Sequence, residues 1–257
     1  FRLILHKLQP KTLFTGKNTV YLPTCHSTND SAAQIIQSDE LLEGTIVITD
    51  NQTRGKGQRG NEWLAKAGEN LTFTLILKPH FLPINEQFSL NLAVSLAVEE
   101  VLSKYLGDKL KIKWPNDILY GDKKLGGILI ESLVYGSTMN YSLVGIGLNI
   151  NQQEFEFPMA TSLSAQSQGD LFELASLLEP FCESMEKFYL KLKEGGDTEL
   201  KMEYLRLLFG RGEWRNYKRN GQIFRGKIMD VSPFGQLVME TEFGLKQFGT
   251  KEFEYIY

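Results

Sequence analysis

Between Lys111 and Asn151 the chain has room for strands but none for crossover helices, and this constrains the fold more than any other feature. Lys111–Trp114 turns at Pro115-Asn116-Asp117, and Ile118-Leu119-Tyr120 meets Gly126–Val134 across Gly121-Asp122-Lys123-Lys124. The pairing continues through Gly136-Ser137 into Tyr141–Asn151. Strands joined by turns this short run antiparallel, because a parallel pair needs a connection of about a dozen residues or more. Upstream, Leu71, Phe73, Leu75 and Leu77 alternate with Thr72, Thr74 and Ile76, the two-residue period of a strand over Asn70–Leu77. Gly44–Thr49 is the first stretch that reads clearly as a strand.

Other segments have a helical period. Over Asn85–Leu106, Phe88, Leu92, Leu96, Val98, Val101, Leu102 and Leu106 recur at three- and four-residue steps, and Gly107 is the terminator. Asp170–Lys193 repeats the pattern, with Leu171, Leu174, Leu177, Leu178, Phe181, Met185, Phe188 and Leu192 on its apolar side; Thr198–Phe209 forms a further helix. After Gly210 the chain is strand-like: Gln222–Val231, a turn at Ser232–Gly235, Gln236–Glu240 and Leu245–Phe248. The expected class is α+β: a mixed, largely antiparallel sheet packed against helices over residues 1–209. A boundary near Gly210–Gly212 leaves about 45 residues, 210–257, for a small β-barrel.

The 257 residues are 42% hydrophobic and 23% charged, ordinary values for a globular chain, and the net charge of −3 excludes a chain-wide nucleic-acid or membrane-surface footprint. Anion binding must come from local clusters. No stretch approaches the ~20 apolar residues of a membrane span. Phe1–Lys7 has no signal-peptide pattern, so a cytoplasmic location is expected. Cys25 and Cys182 make no disulfide framework, and His6, His26 and His80 show no metal-ligand spacing. No protein metal site is expected.

One such cluster is Gln52-Thr53-Arg54-Gly55-Lys56-Gly57-Gln58-Arg59-Gly60, with three cations and three glycines in nine residues. Glycine lets backbone N–H groups approach an anion and the cations supply charge. The loop matches Gly-x-Gly-x-x-Gly, yet it leads to the strand at Leu71 rather than to a helix, which excludes the dinucleotide fingerprint. No Gly-Lys-[Ser/Thr] occurs in it, which excludes a Walker loop. Alone, it reads equally as an anion cradle or as a solvated connection between strands.

Further segments accompany it. Ser27-Thr28-Asn29 offers hydroxyl and amide groups that suit a neutral polar head group or a helix cap. Lys113-Trp114-Pro115-Asn116-Asp117 joins a cation, a rigid turn and a carboxylate. Gly145 and Gly147 interrupt an apolar strand, as where a ligand or another backbone comes close.

In this order the segments closely resemble the biotin protein ligase family. The matching segments are Ser27-Thr28-Asn29; Gln52 with Gly55–Gly60 and Trp63; Lys113–Asp117; Lys124-Leu125-Gly126-Gly127-Ile128-Leu129-Ile130-Glu131; and Gly145–Asn149. The resemblance covers at least residues 24 to 151, and the C-terminal segment fits the family's small SH3-like domain in position and length. It implies two steps. Biotin carboxylate attacks the α-phosphate of ATP, giving biotinyl-adenylate and pyrophosphate; a lysine of a biotin carboxyl carrier protein then takes the biotinyl group. Mg²⁺ is inferred from the reaction class alone, since it is held largely through phosphates and leaves little sequence trace.

Carried over by position, the resemblance implies Lys124, Asp117 and Lys113 as catalytic residues. It implies Ser27, Thr28, Asn29, Gln52, Gly55, Lys56, Gly57, Gln58, Lys124 and Gly127 for biotin, and Arg59, Trp63, Asn116, Lys124 and Asn149 for the nucleotide. Ser27, Thr28 and Gln52 would hold the ureido ring, Trp63 would pack near adenine, and Asp117 would orient or deprotonate the incoming lysine. Homodimerisation occurs in relatives; no feature here decides it.

The family loop usually reads Gly-Arg-Gly-Arg, where this chain has Gly55-Lys56-Gly57-Gln58. Gln58 lacks the guanidinium that grips carboxylate or phosphate bidentately, leaving Arg54 or Arg59 to compensate. Some relatives carry an N-terminal DNA-binding helix-turn-helix; about 23 residues precede Thr24 here, too few for one, so no nucleic-acid role is expected. The competing readings are a lipoate ligase or octanoyl transferase, and a biotinyl-adenylate-binding regulator with little transfer activity.

Overall fold

The computed structural model describes residues 9–38, 41–136 and 138–256. Phe1–Lys7, Ser137 and the side chain of Arg59 lie outside that description. The strands are β1 (Thr19–Cys25), β2 (Ile46–Gln52), β3 (Gly55–Lys56), β4 (Glu62–Trp63), β5 (Leu71–Leu77), β6 (Leu110–Lys113), β7 (Asp117–Tyr120), β8 (Lys123–Tyr135) and β9 (Thr138–Leu148). The helices are α1 (Thr28–Ser38), α2 (Gln87–Leu106), a single turn α3 (Leu163–Gln166), α4 (Leu178–Lys193) and α5 (Asp197–Leu207).

A seven-stranded sheet in the order β1-β2-β5-β9-β8-β7-β6 forms the frame. From β2 through to β6 every pairing is antiparallel, as the short turns require. The exception is at the other edge, where β1 lies parallel to β2 through the α1 crossover. Its residues Thr19–Cys25 gave no clear strand signal, because partial burial replaces the apolar alternation there.

β5 divides the interior. Leu71, Phe73, Leu75 and Leu77 face the main core, where Phe73 meets Phe181 of α4 edge-on, ring centres 5.0 Å apart. Ile76 faces a smaller cluster with Ala32 of α1, Val47 and Leu143. Both sides of the strand are therefore covered, which is why all seven of its residues are buried.

Two helical expectations change. In α2, residues Leu90 to Val98 are buried without a break rather than on one stripe, because sheet, α4 and α5 surround that helix. The segment expected to be helical from Asp170 becomes regular only at a 3₁₀ turn, Leu174–Leu177, which runs into α4. Asn151 accounts for the delay, accepting from Phe172 N (2.9 Å) and donating to Phe172 O (2.8 Å), so Leu171 is 80% exposed instead of packed.

The C-terminal part is a five-stranded antiparallel sheet: β10 (Trp214–Arg219), β11 (Gln222–Val231), β12 (Leu237–Thr241), β13 (Gly244–Phe248) and β14 (Glu254–Tyr255), ordered β13-β12-β11-β10-β14. The expected α+β class with a small C-terminal β unit is therefore what the chain forms. That unit leans on the large sheet through Trp114, whose Nε1 donates to Gly235 O at 2.9 Å and whose ring stacks on Phe253, centres 6.0 Å apart. Among the described residues no helix is long and apolar enough to cross a membrane.

Candidate active site

A cavity of about 390 Å³ opens between the α1 side of the large sheet, the β3–β4 hairpin and the end of the C-terminal sheet. The glycine-rich loop is this hairpin: Gly55 pairs with Trp63 and Lys56 with Glu62. Gly55 has to be glycine, since a Cβ there would lie 2.3 Å from Trp63 O. Lys56 is paired with Asp30 on α1, and that hydrogen bond holds its ammonium above the ordinary lysine value.

Hydroxyl and amide groups fill one part of the wall. Ser27, Thr28 and Asn29 are buried at the start of α1, each at most 3% exposed. Gln52 Oε1 accepts from Thr28 N (2.7 Å) and Thr28 Oγ1 (3.1 Å), fixing the end of β2 to the start of α1. Asn29 Nδ2 donates to Glu131 Oε2 (2.7 Å) and Leu129 O (3.3 Å).

Cations gather in another part. Asp117 Oδ1 lies 2.7 Å from Lys124 Nζ, and Asp117 Oδ2 lies 3.8 Å from Lys113 Nζ. All three side chains are about one-fifth to one-third exposed, at 19% for Asp117, 20% for Lys113 and 34% for Lys124. The β6–β7 turn that carries Asp117 contains a cis Trp114–Pro115 bond. Ile128 N donates to Asn116 O (2.9 Å), and Asn116 Nδ2 donates to Ile128 O (2.5 Å). Asn91 Nδ2 adds a bond to Pro115 O (2.6 Å). Lys124 Nζ also stands 5.8 Å from the centre of the Trp63 ring, within cation–π range.

The strand glycines Gly145 and Gly147 border the cavity, and they also leave room for side chains. A Cβ on Gly145 would meet Asn29 Oδ1 at 2.5 Å, and one on Gly147 would meet the Trp63 indole at 2.4 Å. Ser27, Thr28, Asn29, Gln52, Lys56, Gly57 and Gln58 thus come together in one wall with Trp63, Lys113, Asn116, Asp117, Lys124 and Gly127. Gly55 and Asn149 are not among the described residues that line it. Gly55 serves the hairpin. Asn149 is 4% exposed, and its Nδ2 donates to Thr161 O (3.0 Å), tying β9 to the segment before α3. Arg59 has no described side chain, while Arg54 is exposed and outside the lining.

Sequence reasoning missed the C-terminal contribution. Thr250, Lys251, Phe253, Glu254 and Tyr255 border the cavity, and the Tyr255 ring centre lies 4.8 Å from Lys113 Nζ. More than a hundred residues separate this segment from the other motifs, and no motif of its own marks it. Thr72 on β5 also lines the cavity; its place on the polar face of that strand was a readable signal.

A sequence model described as the Biotin/lipoate A/B protein ligase family matches residues 21–149. The chain is 31% identical over 249 residues to the bifunctional ligase/repressor BirA of Bacillus spizizenii, covering 95% of this chain and 76% of that one. It is 33% identical over 156 residues to the human biotin–protein ligase, covering 58% of this chain and 21% of the human one. Among solved structures, the biotin protein ligase from Aquifex aeolicus in complex with biotin and ATP superposes with a TM-score of 0.76 at 27% identity, over 93% of this chain and 98% of that one. The chain belongs to the biotin/lipoate A/B protein ligase family.

Proposed function

We propose that this chain is an ATP-dependent biotin protein ligase. The observation that carries the reading is the pairing, in one cavity, of a neutral hydrogen-bonding wall at Ser27, Thr28 and Gln52 with a cluster of lysines at Lys56, Lys113 and Lys124. That combination suits a ligand with an uncharged polar head and a carboxylate that must meet a polyphosphate. The named relatives and the Aquifex aeolicus complex with biotin and ATP support the same assignment.

In the first step a biotin carboxylate oxygen bonds to the α-phosphorus of ATP and the bond to the β-phosphate bridging oxygen breaks, releasing pyrophosphate. Carboxylate and polyphosphate repel, so fixed cations lower the barrier by holding them together. Lys124 takes that role, with Lys113 and Lys56 adding positive potential and Trp63 forming an apolar wall beside Lys124. In the second step the neutral amine of a carrier-protein lysine attacks the acyl carbon, AMP leaves, and Asp117 accepts or directs the amine proton.

Mg²⁺ belongs to this chemistry through the phosphates of ATP, whose charge it neutralises when bound. Asp117, Glu62 and Glu254 border the cavity, and no three His, Cys, Asp or Glu groups cluster as a metal cage among the described residues. Such a donor set fits a cation held chiefly by phosphate oxygens with one or two carboxylates.

The partner is a biotin carboxyl carrier protein, and the reaction is assigned to the cytoplasm. Residues 1–209 act as the catalytic unit and 210–257 as a small β domain that closes one side of the cavity. Pyrophosphate release from ATP tests the reading. Biotin should drive it and lipoate should not; release with lipoate alone would favour the lipoate ligases of the same family. Adenylate formation without transfer to any carrier would favour a binding regulator.

A further inference from the structure

Behind the neutral wall a hydrogen-bond chain links Asn29, Thr28 and Gln52 through two residues, Glu131 and Thr74, that do not themselves line the cavity. It begins at Glu131 on β8, whose Oε2 accepts from Asn29 Nδ2 at 2.7 Å. A carboxylate can only accept, so it compels Asn29 to turn its amide nitrogen toward β8, where Leu129 O takes the second N–H at 3.3 Å. The opposite end of that amide, Asn29 Oδ1, then faces Thr74 of β5, and Thr74 Oγ1 donates to it at 2.6 Å. Thr74 Oγ1 also lies 2.8 Å from Thr28 Oγ1. Thr28 holds Gln52 Oε1 with its backbone N–H (2.7 Å), and because the Thr74 proton goes to Asn29, the one Thr28 hydroxyl proton is shared between Thr74 Oγ1 and Gln52 Oε1 (3.1 Å).

Thr74 is 0% exposed and Asn29 2%, so water cannot substitute for these bonds. The chain determines what the wall offers a ligand. Gln52 Oε1 is already filled, which turns Gln52 Nε2 into the group available to the cavity, a donor; among the described residues no acceptor is paired with it. The single Thr28 hydroxyl proton is used within the chain, so its oxygen meets a ligand as an acceptor. One donor beside one acceptor is the complement of a cyclic urea, which carries one carbonyl and N–H groups next to it.

We propose that Thr74 and Glu131 are positioning residues for recognition of the head group: Glu131 sets the orientation of Asn29, and Thr74 ties Asn29 to Thr28 and so to Gln52. This inference rests on the biotin ligase reading above. Neither residue touches the cavity. The chain also explains Gly145, whose hydrogen leaves the space that Asn29 Oδ1 occupies.

The test uses Thr74→Val, which keeps the branched shape and removes the hydroxyl, with Thr74→Ser as the conservative restoration. Biotin binding is measured by calorimetry, and KM for biotin and for ATP by pyrophosphate release. Thr74→Val should weaken biotin about tenfold, the scale of one lost hydrogen bond, with KM for ATP unchanged. Thr74→Ser should recover the wild-type value. Glu131→Leu should give the same selective loss, and Glu131→Gln, which can still accept from Asn29, should largely avoid it; this pair decides the matter if Thr74→Val does not fold. Wild-type biotin affinity in Thr74→Val or Glu131→Leu, or equal losses for biotin and ATP, overturns the inference while leaving the ligase reading intact. No biotin binding by the wild-type chain overturns that reading itself.

Discussion

Lys124 Nζ lies 2.7 Å from Asp117 Oδ1, and the same carboxylate reaches toward Lys113 at 3.8 Å. One anion thus holds two ammonium groups at the cavity wall. Asp117→Asn removes the compensating charge but keeps the size of the side chain. The cavity becomes more cationic, so KM for ATP should stay level or fall. Lys124 loses its anchor, and the rate of adenylate formation should drop by up to about a hundredfold, the scale of a misplaced catalytic group. Steady-state pyrophosphate release checks this; a raised KM with full kcat would contradict it.

The contact between Gly147 and Trp63 makes a separate prediction. A methyl group on Gly147 would sit 2.4 Å from the indole, so Gly147→Ala must displace the ring. It should cost about 1–3 kcal/mol of stability. If the clash is the cause, Gly147→Ala combined with Trp63→Ala loses less than the two changes summed. Denaturant unfolding of the four proteins gives that coupling, and strict additivity would exclude the mechanism.

Gln58 faces the cavity without the guanidinium usual in the family loop. A weaker grip on the adenylate should let it escape and acylate lysines of bystander proteins. Incubation with ATP, biotin and serum albumin should label the albumin, and Gln58→Arg should reduce the labelling several-fold. Arg59→Ala should lower pyrophosphate release if that cation compensates. Equal labelling by wild type and Gln58→Arg would remove the idea.

Away from the site, burial raises the carboxyl pKa of Glu99, opposed by the Arg206 charge and reinforced by Glu100. The folded state therefore binds this proton more tightly than the unfolded chain does. The ionised carboxylate opposes folding, with the penalty absent below the ordinary value of 4.5 and complete above the raised one. Glu99→Gln should raise Tm at neutral pH and have no effect on it in acid. A Tm gain that is the same at both pH values would show that ionisation is not the cause.

Much of this architecture could be read from local pattern. Turn lengths between Lys111 and Asn151 dictated the antiparallel core of the sheet, and the alternation at Leu71–Leu77 identified β5 as one of its interior strands. The site motifs were legible because each is a short run of unusual residue types. Sequence reasoning failed where a residue's role depends on distant partners. β1 is a strand because β2 lies beside it, and Leu171 is exposed because Asn151 holds Phe172. Tyr255 borders the cavity because the C-terminal segment that carries it is held there by Phe253, which stacks on Trp114. No local periodicity encodes such long-range contacts.

The central claim is that this cavity activates biotin and hands it to a carrier lysine, with Lys124 as the cation that holds the reacting groups. The direct measurement is transfer of labelled biotin to a biotin carboxyl carrier domain in the presence of ATP and Mg²⁺, for the wild-type chain and for Lys124→Ala. The account predicts ATP-dependent labelling of the carrier by the wild type and a loss of about a hundredfold or more in the variant. No transfer by the wild type, or equal transfer by a folded Lys124→Ala protein, would contradict it.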